Sequence, residues 1–221
     1  MSIDLSSFNS ENIIKMNSMF SRCGNLKNIN FSSFDTGRVT DMSCMFFGSK
    51  NLEDINLNSF DTRNVINIEN MFASCDNLKN IDLSSFDTRN VINMIGVFMN
   101  CENLLHINLS SLNTKKVTDM SHMFHNCYNL KNINLFSFDG ENLKNIEYIC
   151  SDCKSLSSID LSFIKDASNL IMAGFISDCS NLKTLKINKN MYEIFKKDGD
   201  KQIEDPNKFF LEELGIKLIV I

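Results

Sequence analysis

The sequence predicts an α/β fold: a right-handed solenoid with one short strand and one short helix in each 26-residue unit, and a parallel sheet of about eight strands along one side. Three observations predict it. The tripeptides Ile3-Asp4-Leu5, Ile29-Asn30-Phe31, Ile55-Asn56-Leu57, Ile81-Asp82-Leu83, Ile107-Asn108-Leu109, Ile133-Asn134-Leu135, Ile159-Asp160-Leu161 and Leu185-Lys186-Ile187 recur every 26 residues without an insertion. Other apolar columns keep the same interval, among them Leu26, Leu52, Leu78, Leu104, Leu130, Leu156 and Leu182. The composition has one proline, 18 phenylalanines and 43% hydrophobic residues, which suits a stacked core and argues against a disordered linker.

Within one repeat, Leu26-x-x-Ile29-x-Phe31-x-x-Phe34 alternates at Ile29 and Phe31, the pattern of a strand with one buried face. Asp35-Thr36 follows with side chains suited to a turn and a helix cap. Val39, Met42, Met45 and Phe46, at i, i+3, i+6 and i+7, predict one apolar stripe of a short helix. Cys23 or its equivalent closes the turn, and Asn25-Leu26 starts the next strand. One repeat buries too little apolar surface to offset the ordering of its backbone, so neighbours must stack.

Residues 1–187 are expected to form this array, seven repeats and a final strand, with 188–221 as a C-terminal capping segment. In that segment Asp205-Pro206 is a helix start, Phe209, Phe210 and Leu214 share a stripe, Gly215 ends the helix, and Ile216 to Ile221 read as a strand. The first strand has no equivalent cover, which leaves an open edge for association.

A net charge of −5 and a pI near 5.2 argue against a nucleic-acid binder. No apolar run reaches the roughly 18 residues of a transmembrane helix, so no membrane insertion is expected. Met1-Ser2-Ile3-Asp4-Leu5 has neither a basic start nor an apolar core, so the expectation is that no secretory signal is present.

The strings Ile81-Asp82-Leu83-Ser84-Ser85-Phe86-Asp87-Thr88 and Val117-Thr118-Asp119-Met120-Ser121-x-Met123-Phe124, followed by Cys-x-Asn-Leu, resemble the mycoplasma-type 26-residue repeat of the BspA-like leucine-rich-repeat surface proteins. The resemblance covers residues 3–187. It implies a leucine-rich-repeat-like solenoid on a bacterial or protist cell surface, used for adhesion to host matrix or other cells. Family members are usually exported, whereas this sequence shows no signal; the alternative is an intracellular scaffold with a cytoplasmic location.

Six of the eight cysteines, Cys23, Cys75, Cys101, Cys127, Cys153 and Cys179, share one repeat position, with Ser49 as the exception, and are expected to be buried thiols. Cys150 sits in the column of Phe20, Phe46, Phe72, Phe98 and Phe124, so Cys150-Ser151-Asp152-Cys153 is read as core rather than as a metal or redox motif. Cys44 has the variable mates Ser18, Asn70, Gly96, His122 and Tyr148, which makes it the best candidate for an exposed, reactive thiol. His122 and His125 occur in one repeat only and are taken as an incidental pair, so neither a metal nor a cofactor is expected. No clustered departure from the repeat suggests catalysis, and the chain is not read as an enzyme.

The outward strand positions form ladders. The middle ladder, Asn30, Asn56, Asp82, Asn108, Asn134 and Asp160, together with Phe136, is the candidate ligand-binding face for a protein or glycan such as extracellular matrix. The competing reading is that these polar side chains bond along the ladder and solvate the sheet. A basic stripe, Arg38, Arg63, Arg89, Lys115 and Lys116, could meet an acidic partner but reads more readily as a solvated edge.

Overall fold

The computed structural model describes residues 1–198 and 215–221. Its strands are β1 (Ser2–Asp4), β2 (Asn28–Asn30), β3 (Asn80–Asp82), β4 (His106–Asn108), β5 (Ser158–Asp160), β6 (Thr184–Ile187) and β7 (Lys217–Val220), with one helix, α1 (Lys189–Asp198). Every pairing is parallel. Ile3 lies beside Ile29, Ile81 beside Ile107 and Ile159 beside Leu185, so the register of these three pairs is one 26-residue repeat.

The expected continuous sheet is instead three short ones: β1-β2, β3-β4 and β5-β6-β7. The strand positions at Ile55 and Ile133 are not in strands. At the first break Asp54 supplies a cause, because its Oδ1 takes the N–H of Ile55 at 2.8 Å and diverts a donor from any neighbouring strand.

The helix expected in each repeat is absent among the described residues of the array, and its place is taken by a run of turns. Alternate N–H groups cross to the next repeat: Met42 to Asn67 O, Cys44 to Glu69 O, Phe46 to Met71 O and Gly48 to Ala73 O. The groups between them close four-residue turns, Met45 to Met42 O, Phe47 to Cys44 O and Ser49 to Phe46 O. An α-helix needs each N–H for the carbonyl four residues back and φ near −63°. Here Cys44 has φ 53° and Gly48 has φ 69°, the left-handed conformation that type II turns require at their third residue. The same pattern of crossing bonds joins every pair of neighbours from Met16→Asp41 O to Asp152→Ser177 O. Isolated parallel bridges link Lys15, Asp41, Asn67, Asn93, Asp119, Asn145 and Ile171 in an unbroken series.

The inward stripe nonetheless lies where the spacing predicts. Val39, Met42, Met45 and Phe46 are all fully buried, and so are their equivalents in the middle repeats. The phenylalanine column stacks face to face, with ring centroids 5.7, 5.5, 5.6 and 5.7 Å apart from Phe20 through Phe46, Phe72 and Phe98 to Phe124. Beyond Phe124 the column continues as Cys150 and Ile176, while the neighbouring column, Met71, Val97, Met123 and Ile149, enlarges to Phe175. Volume lost in one column is thus regained beside it.

Two polar columns are buried with the core. Thr36, Thr62, Thr88 and Thr114 each donate Oγ1 to a carbonyl in the next repeat and accept that residue's N–H; for Thr88 and Asn113 the distances are 2.9 and 2.7 Å. Asp35 and its mates therefore make Asx turns rather than helix caps, as in Asp87 Oδ1 accepting the Arg89 N–H. The cysteine column is the second. Cys75, Cys101, Cys127, Cys153 and Cys179 donate Sγ–H to the carbonyls of Phe46, Phe72, Phe98, Phe124 and Cys150 at 3.0–3.2 Å. Ser49 makes the same bond to Phe20 O at 2.8 Å, which explains why serine substitutes there.

After β6 the chain turns into α1, with Asn188 as the N-cap: its Oδ1 accepts the Met191 N–H at 2.9 Å. Met191 is buried against the last repeat, and β7 pairs with β6 in register Leu185 to Leu218. The helix anticipated over 205–214 lies outside the described residues.

Candidate binding face

The middle ladder lies along the strand side, where Asn30, Asn56, Asp82, Asn108 and Asn134 are exposed and Asp160 is half-buried. Alternation puts them there: their neighbours Ile29, Phe31, Ile81 and Leu83 are buried, so the residue between must face out. Each one has a local task. Asn30, Asn56, Asp82, Asn108, Asn134 and Asp160 accept, through Oδ1, the N–H two residues on, at 2.9–3.1 Å. These Asx turns redirect the chain as it leaves each strand position.

The ladder is therefore in part structural, and its charges are held by these bonds. The N–H and hydroxyl of Ser84 hold the Asp82 carboxyl below the usual carboxylate value of 3.8. Burial pushes Asp160 upward, but the Lys186 ammonium 2.8 Å away and the bonds from Ser162 outweigh it, and its pKa is lowered. Asp160 Oδ2 takes the Lys186 ammonium and the Asn30 amide donates to Asp4 Oδ1, while the second oxygen of Asp82 and the amides of Asn56, Asn108 and Asn134 face outward, an array suited to hydrogen bonding.

Asp82 and Asn108 come together in a shallow 330 Å³ groove across β3 and β4, joined by Asp54, Asn80 and His106 of the first outward ladder. Phe136 stands apart as the feature most unlike its surroundings. It is 94% exposed, in a column otherwise filled by Ser6, Ser32, Asn58, Ser84, Ser110 and Ser162.

The other sequence candidates resolve differently. All eight cysteines are free thiols, and burial raises Cys75 and Cys179 to about 12 and Cys101, Cys127 and Cys150 well above 9.0. Cys44 is half-buried, and burial, Glu69 and Asp41 push its thiol up, the opposite of what a reactive thiol needs. What its column shares is backbone conformation: Ser18, Cys44, Asn70, Gly96, His122, Tyr148 and Gly174 all have positive φ. His122 stacks on Tyr148 at 5.2 Å and meets His125 edge-on at 5.5 Å. In the basic stripe, Arg63 and Arg89 are ion-paired to Asp61 and Asp87 at 2.8 and 2.6 Å, and Lys115 to Glu141 at 3.5 Å.

Among the described residues no group of three or more His, Cys, Asp or Glu could hold a metal ion, and no helix is long and apolar enough to cross a membrane. No curated protein matches the chain. Among solved structures, the chain is similar to a leucine-rich repeat protein from Bacteroides ovatus ATCC 8483, at 16% identity and a TM-score of 0.39, over 100% of this chain and 69% of that one. A family model described as "Mycoplasma protein of unknown function, DUF285" matches residues 1–106, 47–163 and 106–202. The mycoplasma-type repeat resemblance read from the sequence therefore holds, and the chain belongs to the DUF285 family of mycoplasma-type repeat proteins.

Proposed function

We propose that this chain is a non-catalytic protein-interaction module, a solenoid of the leucine-rich-repeat kind that serves as a cell-surface adhesin and binds host matrix or other cells through its strand face. Phe136 carries the reading. A phenylalanine that is 94% exposed gains nothing for the fold, since serine fills the same position in five other repeats. Large exposed aromatics are what interfaces use as anchors. Around it the outward Asn and Asp side chains supply hydrogen-bonding edges over several repeats, a surface suited to an extended ligand.

Phe136→Ser tests the face, because it installs the residue its column already tolerates and leaves the Asn134 turn intact. Binding of purified protein to immobilised matrix proteins should fall at least about tenfold, equivalent to about 1.4 kcal/mol. Asp82→Lys, Asn108→Lys and Asn134→Lys together should abolish it, and binding that survives both changes would sink the strand-face assignment. Surface location has its own measurement: protease should reach the protein on intact, unpermeabilised cells of its source. Full protection would leave the second reading, an intracellular scaffold. That reading is favoured by the eight free cysteines, most of them committed to carbonyl bonds in the core.

A further inference from the structure

A groove of 530 Å³ lies on the turn side, away from the strand face. Its floor is aliphatic. Ile66 and Ile92, in adjacent repeats, are 45% and 43% exposed, and Thr40 extends the β-branched line. Their backbones form a parallel ladder, Ile66 N–H to Thr40 O at 2.8 Å and Ile92 N–H to Ile66 O at 2.9 Å, so the side chains project from a rigid series. Three sequence repeats separate the two cations at its ends, Arg38 and Lys116. Whereas Arg63, Arg89 and Lys115 are neutralised by carboxylates, Arg38 and Lys116 are held, among the described residues, by amide oxygens, Asn12 Oδ1 at 2.9 Å and Asn90 Oδ1 at 2.8 Å. The carboxylates one position beyond the floor, Asp41 and Asp119, accept the Ser43 and Ser121 N–H groups through Oδ1 and do not line the groove.

We infer that this groove binds an extended acidic peptide segment with carboxylates at i and i+4 and an aliphatic residue at i+2. Three repeat spacings of about 4.8 Å place the cations about 14 Å apart, and four residues of extended chain span about 13 Å. Residues i, i+2 and i+4 of such a segment share one face, so the two carboxylates reach Arg38 and Lys116 while the aliphatic side chain rests on Ile66 and Ile92. The isoleucines select a peptide over a sulfated glycan, which has no aliphatic group to place there. Only two cations and a net charge of −5 disfavour an anionic membrane, whose attraction grows with the number of basic residues at the surface.

The test is an amide-resolved NMR titration of the whole chain with the acetylated, amidated peptide Ser-Glu-Ser-Leu-Ser-Glu-Ser. Saturable shifts confined to the neighbourhood of Thr40, Ile66, Ile92 and Lys116 are expected, with none from the counterpart carrying Lys for Glu. Ile66→Ser with Ile92→Ser should weaken binding at least about fivefold, and Arg38→Glu with Lys116→Glu should transfer it to the lysine peptide. Circular dichroism of each variant establishes that it is folded. Absence of saturable shifts at millimolar peptide, equal response to both peptides, or shifts centred on Asp82 and Phe136 would overturn the assignment. Tighter binding to phosphatidylglycerol vesicles than to the peptide, lost in Arg38→Glu with Lys116→Glu, would also overturn it and make the groove a membrane contact. Phe136→Ser should leave the titration unchanged, which separates this surface from the strand face.

Discussion

The two sides of each repeat are built to different standards. On the turn side, crossing hydrogen bonds run without a gap from Met16 to Ser177, and the bridge series from Lys15 to Ile171 is complete. On the strand side the same stack of repeats yields three separate sheets, with gaps at Ile55 and Ile133. The difference teaches where cohesion resides. The turn side interlocks backbone bonds, stacked phenylalanines and buried Thr and Cys columns, so a change in one repeat is felt by both neighbours. The strand side is held by the buried half of each strand position and by local Asx turns, which leaves its outer residues free to differ. An exposed phenylalanine and a shallow groove have appeared on the looser side.

If cohesion resides on the turn side, its central side chains should be the costliest to change. Phe98→Ala removes a ring stacked on Phe72 and Phe124 and should lower unfolding free energy by about 3–5 kcal/mol in urea titration. A loss below about 1 kcal/mol would mean that the core repacks around the gap and that the stack is not the keystone. Thr88→Val keeps the shape but strips the bonds to both the N–H and the carbonyl of Asn113. Leaving buried groups unpaired should cost about 1–3 kcal/mol. The Asp82→Ala change on the strand side removes one exposed turn acceptor and should cost less than either.

These asymmetries mark what the sequence could convey. Repeat length, strand register and the inward direction of Val39, Met42, Met45 and Phe46 were legible, because side-chain burial leaves a periodic trace. The helix was misread for the same reason: spacing of i, i+3, i+6 and i+7 fixes which residues face inward, not which hydrogen bonds the backbone makes. A signal did exist in the column of Ser18, Cys44, Asn70, Gly96, His122, Tyr148 and Gly174, where Gly and Asn point to the left-handed conformation that breaks a helix. α1 was missed too, although Asn188, three residues before Met191, is an N-cap in plain view. On the candidate face, the ladder's outward direction was legible from alternation. Its commitment to Asx turns was not, since Asn and Asp look alike as ligand contacts and as turn acceptors. The isoleucine groove is not legible in the sequence, because residue type alone does not tell that Ile66 and Ile92 are exposed.

The left-handed column offers a sharper probe of the turn side. A Cβ on Gly96 would sit on Asn70 Oδ1 of the preceding repeat, and φ is 57° there. Gly96→Ala should cost about 1–2 kcal/mol from the backbone conformation alone, and more from the collision. In an Asn70→Ala background the collision is gone, so a double-mutant cycle should recover part of the loss. Strict additivity would show that the two repeats do not press on each other at this point. Cys101→Ser is gentler still. Ser49 already makes the corresponding bond, so the hydroxyl should take over the donation to Phe72 O with a change below about 1 kcal/mol.

The smallest effect concerns pH and the one repeat that carries two histidines on the turn side. His122 is stacked on Tyr148 and meets His125 edge-on, and its Nδ1 and that of His125 are buried without a partner among the described residues. Burial first, then the nearby His125, lowers the His122 pKa from 6.5, against the opposing pull of Glu147 and Asp119. The unfolded chain therefore takes up this proton more readily than the folded one. The stability linked to His122 is fully present above pH 6.5 and declines as pH falls from there toward the folded-state value. The lowered carboxylates Asp61 and Asp87 titrate below 3.8, so they leave this window to the histidine. Urea midpoints should dip as pH drops from 7 toward 5, and His122→Phe should flatten the dip while keeping a ring against Tyr148. If the dip persists in that variant, the titrating group lies elsewhere, and His122 contributes to the turn side only through its stack.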